Sequence, residues 1–415
     1  MTKPSKLVCK ECGEEYPVEL RTACEICFGP LDVQYDYEAI GKQVTKEKIA
    51  GREKTLWRYI ELLPIENRNN IVNLHPGFTP LKKADQLAKK LGLRELYVKD
   101  DTVNPTYSFK DRPSSVAVSK SVEFGLEAVG CASTGNLAGA TAAHAAKAGL
   151  PCYIFIPADL EQSKVLSAQI YGPNIIAVEG TYDDANRIAN LAANKYKWGL
   201  VNINIRPYYT EGSKTLAYEV CEQLGWQTPD RVIIPLGSGA LLCAINKGFN
   251  ELVKLGFVYE NKVKICGSQP DGCAPIANAY DGKSDIIPIE KPTSIVKSLA
   301  IGDPASGPEA LKIINESRGF ADSPNDLEVV EGQKLLARTE GIFAEPAGGV
   351  VIAALKRKVE AGEIDKNERV VVYITGNGLK TPDVLFGKFP EPTRAKPNFE
   401  DVDRAITELK RKGSK

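Results

Sequence analysis

Asn104-Pro105-Thr106-Tyr107-Ser108-Phe109-Lys110-Asp111-Arg112 is the run on which the reading of this chain turns. It follows a β-rich stretch, Leu96-Tyr97-Val98-Lys99, and opens a segment from Phe109 to Phe124 that reads as helix. Ser108 and Asp111 have the S-x-x-D spacing of a capping box, which predicts Ser108 as N-cap and Lys110 in the first helical turn. A lysine there opposes the positive end of the helix dipole. That suits an amine that must form an imine and then carry protons. By itself Lys110 reads as an exposed first-turn charge, and only its company changes that.

Outward from this run the chain alternates short β-rich stretches with helical ones. The β-rich stretches include Cys152–Ile156, Ile175–Val178, Val232–Pro235 and Val370–Ile374. Helical patterns cover Thr141–Ala148, Asp183–Tyr196, Gly212–Leu224 and Leu241–Leu255, and Tyr37 to Asn70 reads as polar helix-forming material. Such alternation predicts right-handed βαβ crossovers and mostly parallel sheets covered by helices, an α/β fold. Ligands in these folds bind beyond the carboxyl ends of strands. At 415 residues the chain is expected to form two doubly wound domains plus an appendage. Residues 387–415 read as a proline-bearing linker and a final amphipathic helix, with Asn398 as N-cap and Phe399, Val402, Ile406 and Leu409 on one stripe that is expected to dock on the body.

Lysine plus arginine equals aspartate plus glutamate at 53 each, so bulk charge implies neither a polyanion nor a membrane surface as partner. No apolar run approaches the roughly 18 residues that span a bilayer, and Met1 to Lys6 lacks the apolar core of a secretion signal. A cytoplasmic enzyme acting on a small molecule is the expectation. There are two histidines, His75 in a loop and His144 in an alanine-rich stretch. A histidine-based triad or general base is therefore poorly supported. Proton transfer falls to lysine, a carboxylate or a cofactor.

Cys9, Cys12, Cys24 and Cys27 form a C-x2-C-x11-C-x2-C arrangement. Paired knuckles of this kind close a tetrahedral thiolate site for structural zinc, and a reducing compartment disfavours the disulfide alternative. A metal-free ribbon and a nucleic-acid ribbon are the competing readings. The latter is weakened by Glu11, Glu14, Glu15 and Glu19. The other six cysteines, scattered among apolar neighbours, read as small core residues.

Two further turns carry chemistry. Gly237-Ser238-Gly239-Ala240-Leu241 joins a β-rich stretch to a helix start, where free backbone N–H groups and the dipole favour an anion. Leu242 stands where a dinucleotide fingerprint has its third glycine, so a monophosphate fits better than a pyrophosphate. Ser133-Thr134-Gly135-Asn136 ends another strand. Ser133 and Thr134 with helix-start amides suit a substrate carboxylate, and Asn136 offers both donor and acceptor. An ordinary βα turn and plain helix capping are the alternatives at these two places.

The Lys110 run, Ser133–Asn136, Gly237–Ala240 and Thr375-Gly376-Asn377-Gly378-Leu379-Lys380, in this order, resemble the motifs of pyridoxal-phosphate enzymes of the tryptophan-synthase-β type. Within that group they are most similar to the threonine synthases. The resemblance runs from Leu74 to Leu385. It implies fold type II, with a large cofactor domain from residues 37–117 and 209–386, a small inserted domain 118–208 and a ribbon 1–36. It implies that Lys110 carries pyridoxal 5'-phosphate as a Schiff base and acts as the proton carrier. Asn136 then meets the cofactor's phenolate oxygen, Gly237 to Leu241 cradle its phosphate, and Thr375 lies beside its pyridine nitrogen. The family often has G-N-A-G-N at the cradle, and Ser238 and Leu241 depart from it. Val201 to Thr215 resembles the family's N-x-N-P-x-R…G-Q-K-T stretch with altered spacing, which makes Asn204 and Arg206, with Lys164, candidates for a substrate phosphate. Glu345 matches a family segment near the cofactor and receives no role. The implied activity is a lyase, a homodimer by family habit, that converts O-phosphohomoserine and water to threonine and phosphate. Cysteate synthase, a serine/threonine dehydratase and a catalytically dead ribbon protein are the alternatives.

Overall fold

In the computed structural model, which describes residues 4–133, 135–158 and 162–413 (without the side chains of 162–164, 182, 412 and 413), the alternating runs fold into three sheets. In chain order the first strands are β1 (Pro4–Cys9), β2 (Glu15–Tyr16) and β3 (Leu31–Tyr35), followed by β4 (Leu81–Lys83) and β5 (Glu95–Asp100). Then come β6 (Val129–Ala132), β7 (Cys152–Pro157), β8 (Asn174–Val178) and β9 (Gly199–Leu200). The last are β10 (Arg231–Pro235), β11 (Lys264–Ser268), β12 (Ala321–Asp322) and β13 (Arg369–Ile374).

The ribbon is a small antiparallel sheet in the order β2-β1-β3. A six-stranded sheet has the order β12-β11-β10-β13-β5-β4, parallel except for β4 at its edge. A four-stranded parallel sheet, β8-β7-β6-β9, is drawn from residues 129–200. In the six-stranded sheet β10, β13 and β5 are neighbours. Their carboxyl ends therefore bring the glycine loop, the Thr375 turn and the Lys110 run to one edge, although these come from distant parts of the chain. The strands are covered on both faces: Val232, Ile233, Ile234, Val370, Val371 and Val372 are completely buried. That is why they read as continuous apolar runs rather than as alternating ones.

Residues 381–415 form a second compact unit. Its helix, Phe399–Gly413, begins after Asn398, whose side chain accepts the Asp401 N–H at 2.9 Å, the N-cap bond expected of that residue. Among the described residues no helix is long and apolar enough to cross a membrane.

Two local expectations need correction. The helix after the lysine run is Asp111–Glu123, and Lys110 occupies the N-cap position without any side-chain cap bond. Asp111 does not close a capping box. Its carboxylate accepts the Thr106 N–H at 2.7 Å and the Thr106 hydroxyl at 3.0 Å, and it lies 3.3 Å from His144 Nε2. These partners take up the carboxylate inside the protein, where Asp111 and Ser108 are both completely buried. The segment from Tyr37 to Asn70 begins with two short helices, Tyr37–Gln43 and Lys46–Ala50. It then becomes a tight 3-10 stretch, Leu56–Leu62, that buries Leu56, Trp57, Tyr59, Ile60 and Leu62. Only this later stretch is an inner layer; the two helices before it are polar and mostly exposed, as the sequence reads.

Candidate active site

Lys110 is held from both sides of its loop. Phe109 N–H donates to Thr375 O at 2.8 Å, Asn377 N–H donates to Tyr107 O at 3.0 Å, and Ser108 bridges Gly376. Tyr107 adopts φ 63°, the left-handed region that a bulky residue enters only when its surroundings enforce it. Below the loop, Arg112 is completely buried. Its guanidinium meets Asp101 Oδ2 at 2.7 Å and Glu219 Oε2 at 2.8 Å, and Lys99 Nζ lies 2.7 Å from Glu219. Burial alone would raise the Glu219 carboxyl, but Arg112 and then Lys99 bring it down to about 2. Two cations and two carboxylates thus form a closed, neutral cluster that fixes the start of the Lys110 helix.

The Lys110 amine is half-buried, and among the described residues no carboxylate pairs with it. Its hydrogen bond runs to the Tyr209 hydroxyl at 3.1 Å. Nearby, β6 ends at Ala132 with Ser133 half-buried beyond it, and Asn136 is the first residue of helix Asn136–Ala148. Asn136 is not a capping residue: its Nδ2 donates to Glu345 Oε2 at 2.8 Å. Glu345 is buried, and desolvation raises its carboxyl to about 7 although the Asn136 bond and Lys380 oppose the shift. A Cβ at Gly376 would collide with that carboxylate, so Glu345 can hold this position only beside a glycine. Thr375 is buried, and its hydroxyl has no partner among the described residues.

At the third strand end, Gly239 has φ 87°, and an added Cβ would stand 2.7 Å from Ser306 O. Only glycine meets both conditions. The helix Ala240–Lys254 starts there, and among the described residues the N–H groups of Ser238 to Leu241 have no acceptor. A row of open amides on a helix N-terminus fits a monophosphate. With a lysine amine and a hydroxyl on the neighbouring strand end that have no carboxylate partner among the described residues, the donor set suits pyridoxal phosphate.

A cavity of about 520 Å³ lies between the ribbon, the helix Tyr182–Tyr196 and the helix Arg206–Ser213. Arg206, Asn202 and Ala240 line it, whereas Lys110 and Thr375 do not. Arg206 opens its helix three residues before Tyr209. Of the lining cations, Lys10 pairs with Glu309 at 2.9 Å, Lys247 with Asp32 at 2.8 Å and Arg187 with Asp184 at 3.4 Å. Arg206 has no carboxylate partner among the described residues. Burial pulls its guanidinium below the ordinary arginine value, with Tyr209 opposing weakly.

Asn204 does not join it. It is buried, accepts the Leu200 N–H at 2.8 Å and donates to Trp198 O at 2.9 Å. One donor and one acceptor of its amide hold the loop, and Asn204 does not line the cavity. Thr134 and the side chain of Lys164 lie outside the described residues. Sequence reasoning passed over Tyr209, Asn202, Lys380 and any role for Glu345. Tyr209 and Asn202 sit in the same quoted run as Arg206, with nothing in the spacing to single them out.

In the ribbon the four Sγ atoms of Cys9, Cys12, Cys24 and Cys27 lie within 4.8 Å of one another, with no disulfide among them. The donor set and closure fit one tetrahedral zinc ion. The other six cysteines are buried.

The family described as "Pyridoxal-phosphate dependent enzyme" matches residues 72–376. The chain is 44% identical to the threonine synthase of Methanocaldococcus jannaschii over 405 residues, 97% of this chain and 99% of that protein. It is 40% identical to the threonine synthase of Methanosarcina acetivorans over 96% of this chain and 98% of the other. Among solved structures it is similar to diaminopropionate ammonia lyase from Escherichia coli, with a TM-score of 0.63 and 22% identity, covering 76% of this chain and 88% of that one. At that identity the likeness concerns the fold alone.

Proposed function

This chain belongs to the pyridoxal-phosphate-dependent enzyme family, and from that premise we propose that it converts O-phosphohomoserine and water to L-threonine and phosphate. The observation that carries this reading is the uncommitted Arg206 guanidinium in a cavity that adjoins the glycine-loop helix at Ala240. A dehydratase has no second phosphate to hold. Threonine synthases that match nearly the whole chain support the same conclusion.

Bound pyridoxal phosphate supplies the electron sink that carbon–hydrogen cleavage beside an amine requires. The amides of Gly237 to Leu241 would hold its phosphate, Asn136 its ring oxygen, and the Thr375 hydroxyl its ring nitrogen. Ser133, with Thr134, receives the substrate carboxylate. Lys110 Nζ removes the Cα proton and then a Cβ proton, returns one to Cγ after the phosphate has left and one to Cα after water has added at Cβ, and Tyr209 steers that amine between positions. Arg206 holds the γ-phosphate as it leaves, and water adds at Cβ. Neither histidine is needed: His75 is exposed beside Glu53, and His144 is buried against Asp111.

The same reading takes residues 118–208 as the inserted small domain, a division supported by the four-stranded sheet within it. It makes the protein a cytoplasmic homodimer, on the family resemblance, whose acidic ribbon binds structural zinc rather than nucleic acid. Product analysis with O-phosphohomoserine and O-phosphoserine in parallel tests the proposal. Threonine and phosphate should form from the former. Turnover of phosphoserine with sulfite, without threonine from phosphohomoserine, would assign a cysteate synthase instead.

A further inference from the structure

Glu345 stands at the start of helix Pro346–Glu360 but makes no cap bond there. Its side chain turns away and accepts the Asn136 amide across 209 residues of sequence. The contact is built from every side. Gly376 packs so closely that no other residue fits against the carboxylate. Glu345 N–H donates to Gly376 O at 2.9 Å, which locks the two segments together. The charged group acting on Glu345 is Lys380, from the turn Gly378–Lys380. Lys380 Nζ is itself directed to Thr106 O at 2.9 Å, and Asp111 acts on it from the Lys110 helix.

We propose that Glu345 is a positioning residue: its ionised carboxylate fixes the orientation of the Asn136 amide, so that Asn136 presents an N–H to the cofactor's ring oxygen. The inference rests on Asn136 meeting that oxygen. A carboxylate can only accept, so it requires the NH₂ end of the amide and leaves the second N–H facing the cleft. A protonated carboxyl can donate to Oδ1 instead. The amide can then turn over and present its carbonyl to an oxygen that is itself an acceptor. Burial holds the Glu345 carboxyl near neutrality, so the orientation changes within the pH range of ordinary enzyme function.

The experiment starts with cofactor-free protein. The ¹⁵N side-chain amide signal of Asn136 should titrate with a midpoint near pH 7, following the Glu345 carboxyl seen by ¹³C, and the Glu345→Gln substitution should abolish the titration. Cofactor affinity, measured by fluorescence titration, should fall roughly tenfold as pH drops through that midpoint, the scale of one charge-assisted hydrogen bond. In Glu345→Gln the affinity should not change with pH over the same range. An Asn136 amide that ignores the Glu345 titration overturns the proposal, and it does so in wild-type protein whether or not the variant folds. Glu345→Gln keeping the wild-type pH dependence of affinity also overturns it. If Asn136→Ala binds cofactor as tightly as wild type, the underlying assignment of Asn136 fails and the proposal falls with it. If that variant binds weakly while the amide ignores Glu345, only the positioning role is lost.

Discussion

The Tyr208 hydroxyl donates to the backbone carbonyl of Glu19 at 2.6 Å, which ties the helix bearing Arg206 and Tyr209 to the four-cysteine ribbon. The same helix is gripped again where Tyr35 Oη, on β3, donates to Glu211 Oε2 at 2.6 Å. Lys247 joins Glu211 to Asp32 of β3 with distances of 2.7 and 2.8 Å. The ribbon is therefore part of the wall against which the candidate site is built.

Replacing Cys24 and Cys27 together by serine should release the ribbon's zinc and lower thermal stability more than it lowers turnover. Elemental analysis and calorimetry on the native and double-variant proteins check this. Native protein that contains no zinc would remove the metal assignment while leaving the enzyme assignment intact.

Lys110→Ala should abolish covalent cofactor attachment and activity without unfolding the protein. Lys110 makes no cap bond, and the buried Arg112 cluster holds the helix start without it. Absorbance of the reconstituted protein and its circular dichroism are the two readouts, and substantial remaining turnover would refute the central role of this amine.

Arg206→Ala should weaken phosphohomoserine turnover and blunt inhibition by free phosphate, while cofactor content stays constant. A charge-assisted hydrogen bond contributes about 1.5–3 kcal/mol, or roughly a tenfold to 150-fold effect. Loss of cofactor instead would assign Arg206 to the other phosphate.

Glu219→Gln should destabilise the protein at neutral pH by about 3–5 kcal/mol, because it leaves Lys99 and Arg112 buried with too little negative charge. The sign with pH follows from the depressed Glu219 carboxyl, about 2 in the folded protein against an ordinary 4.5. Its contribution is complete above 4.5 and is lost as pH falls towards 2. Urea denaturation at pH 7 and at pH 3 should therefore show the gap between wild type and variant narrowing in acid. An equal gap at both values would disprove the linkage.

What the linear chain determined by itself was local. Continuous apolar runs such as Val232–Pro235 and Val370–Ile374 mark buried parallel strands, and the glycine-rich turns after them mark the carboxyl ends of those strands, because both patterns follow from short-range geometry. The C-x2-C pairs were readable for the same reason. β11 was not, because Lys264 to Ser268 has just Ile265 and Cys266 as an apolar pair before Gly267 interrupts it. The tertiary structure decided whatever depends on which polar group reaches a partner first. Asp111 looked like half of a capping box, but the buried Thr106 and His144 hold it. Asn204, a ligand candidate by its place in the run, bonds to Leu200 and Trp198 within its own loop, while Arg206, two residues on, has no carboxylate partner among the described residues. Glu345 carried no legible role because its partner Asn136 lies 209 residues away. Spacing reports what neighbours along the chain can do, whereas a buried polar group is defined by the one contact that compensates its desolvation, and only the fold supplies that contact.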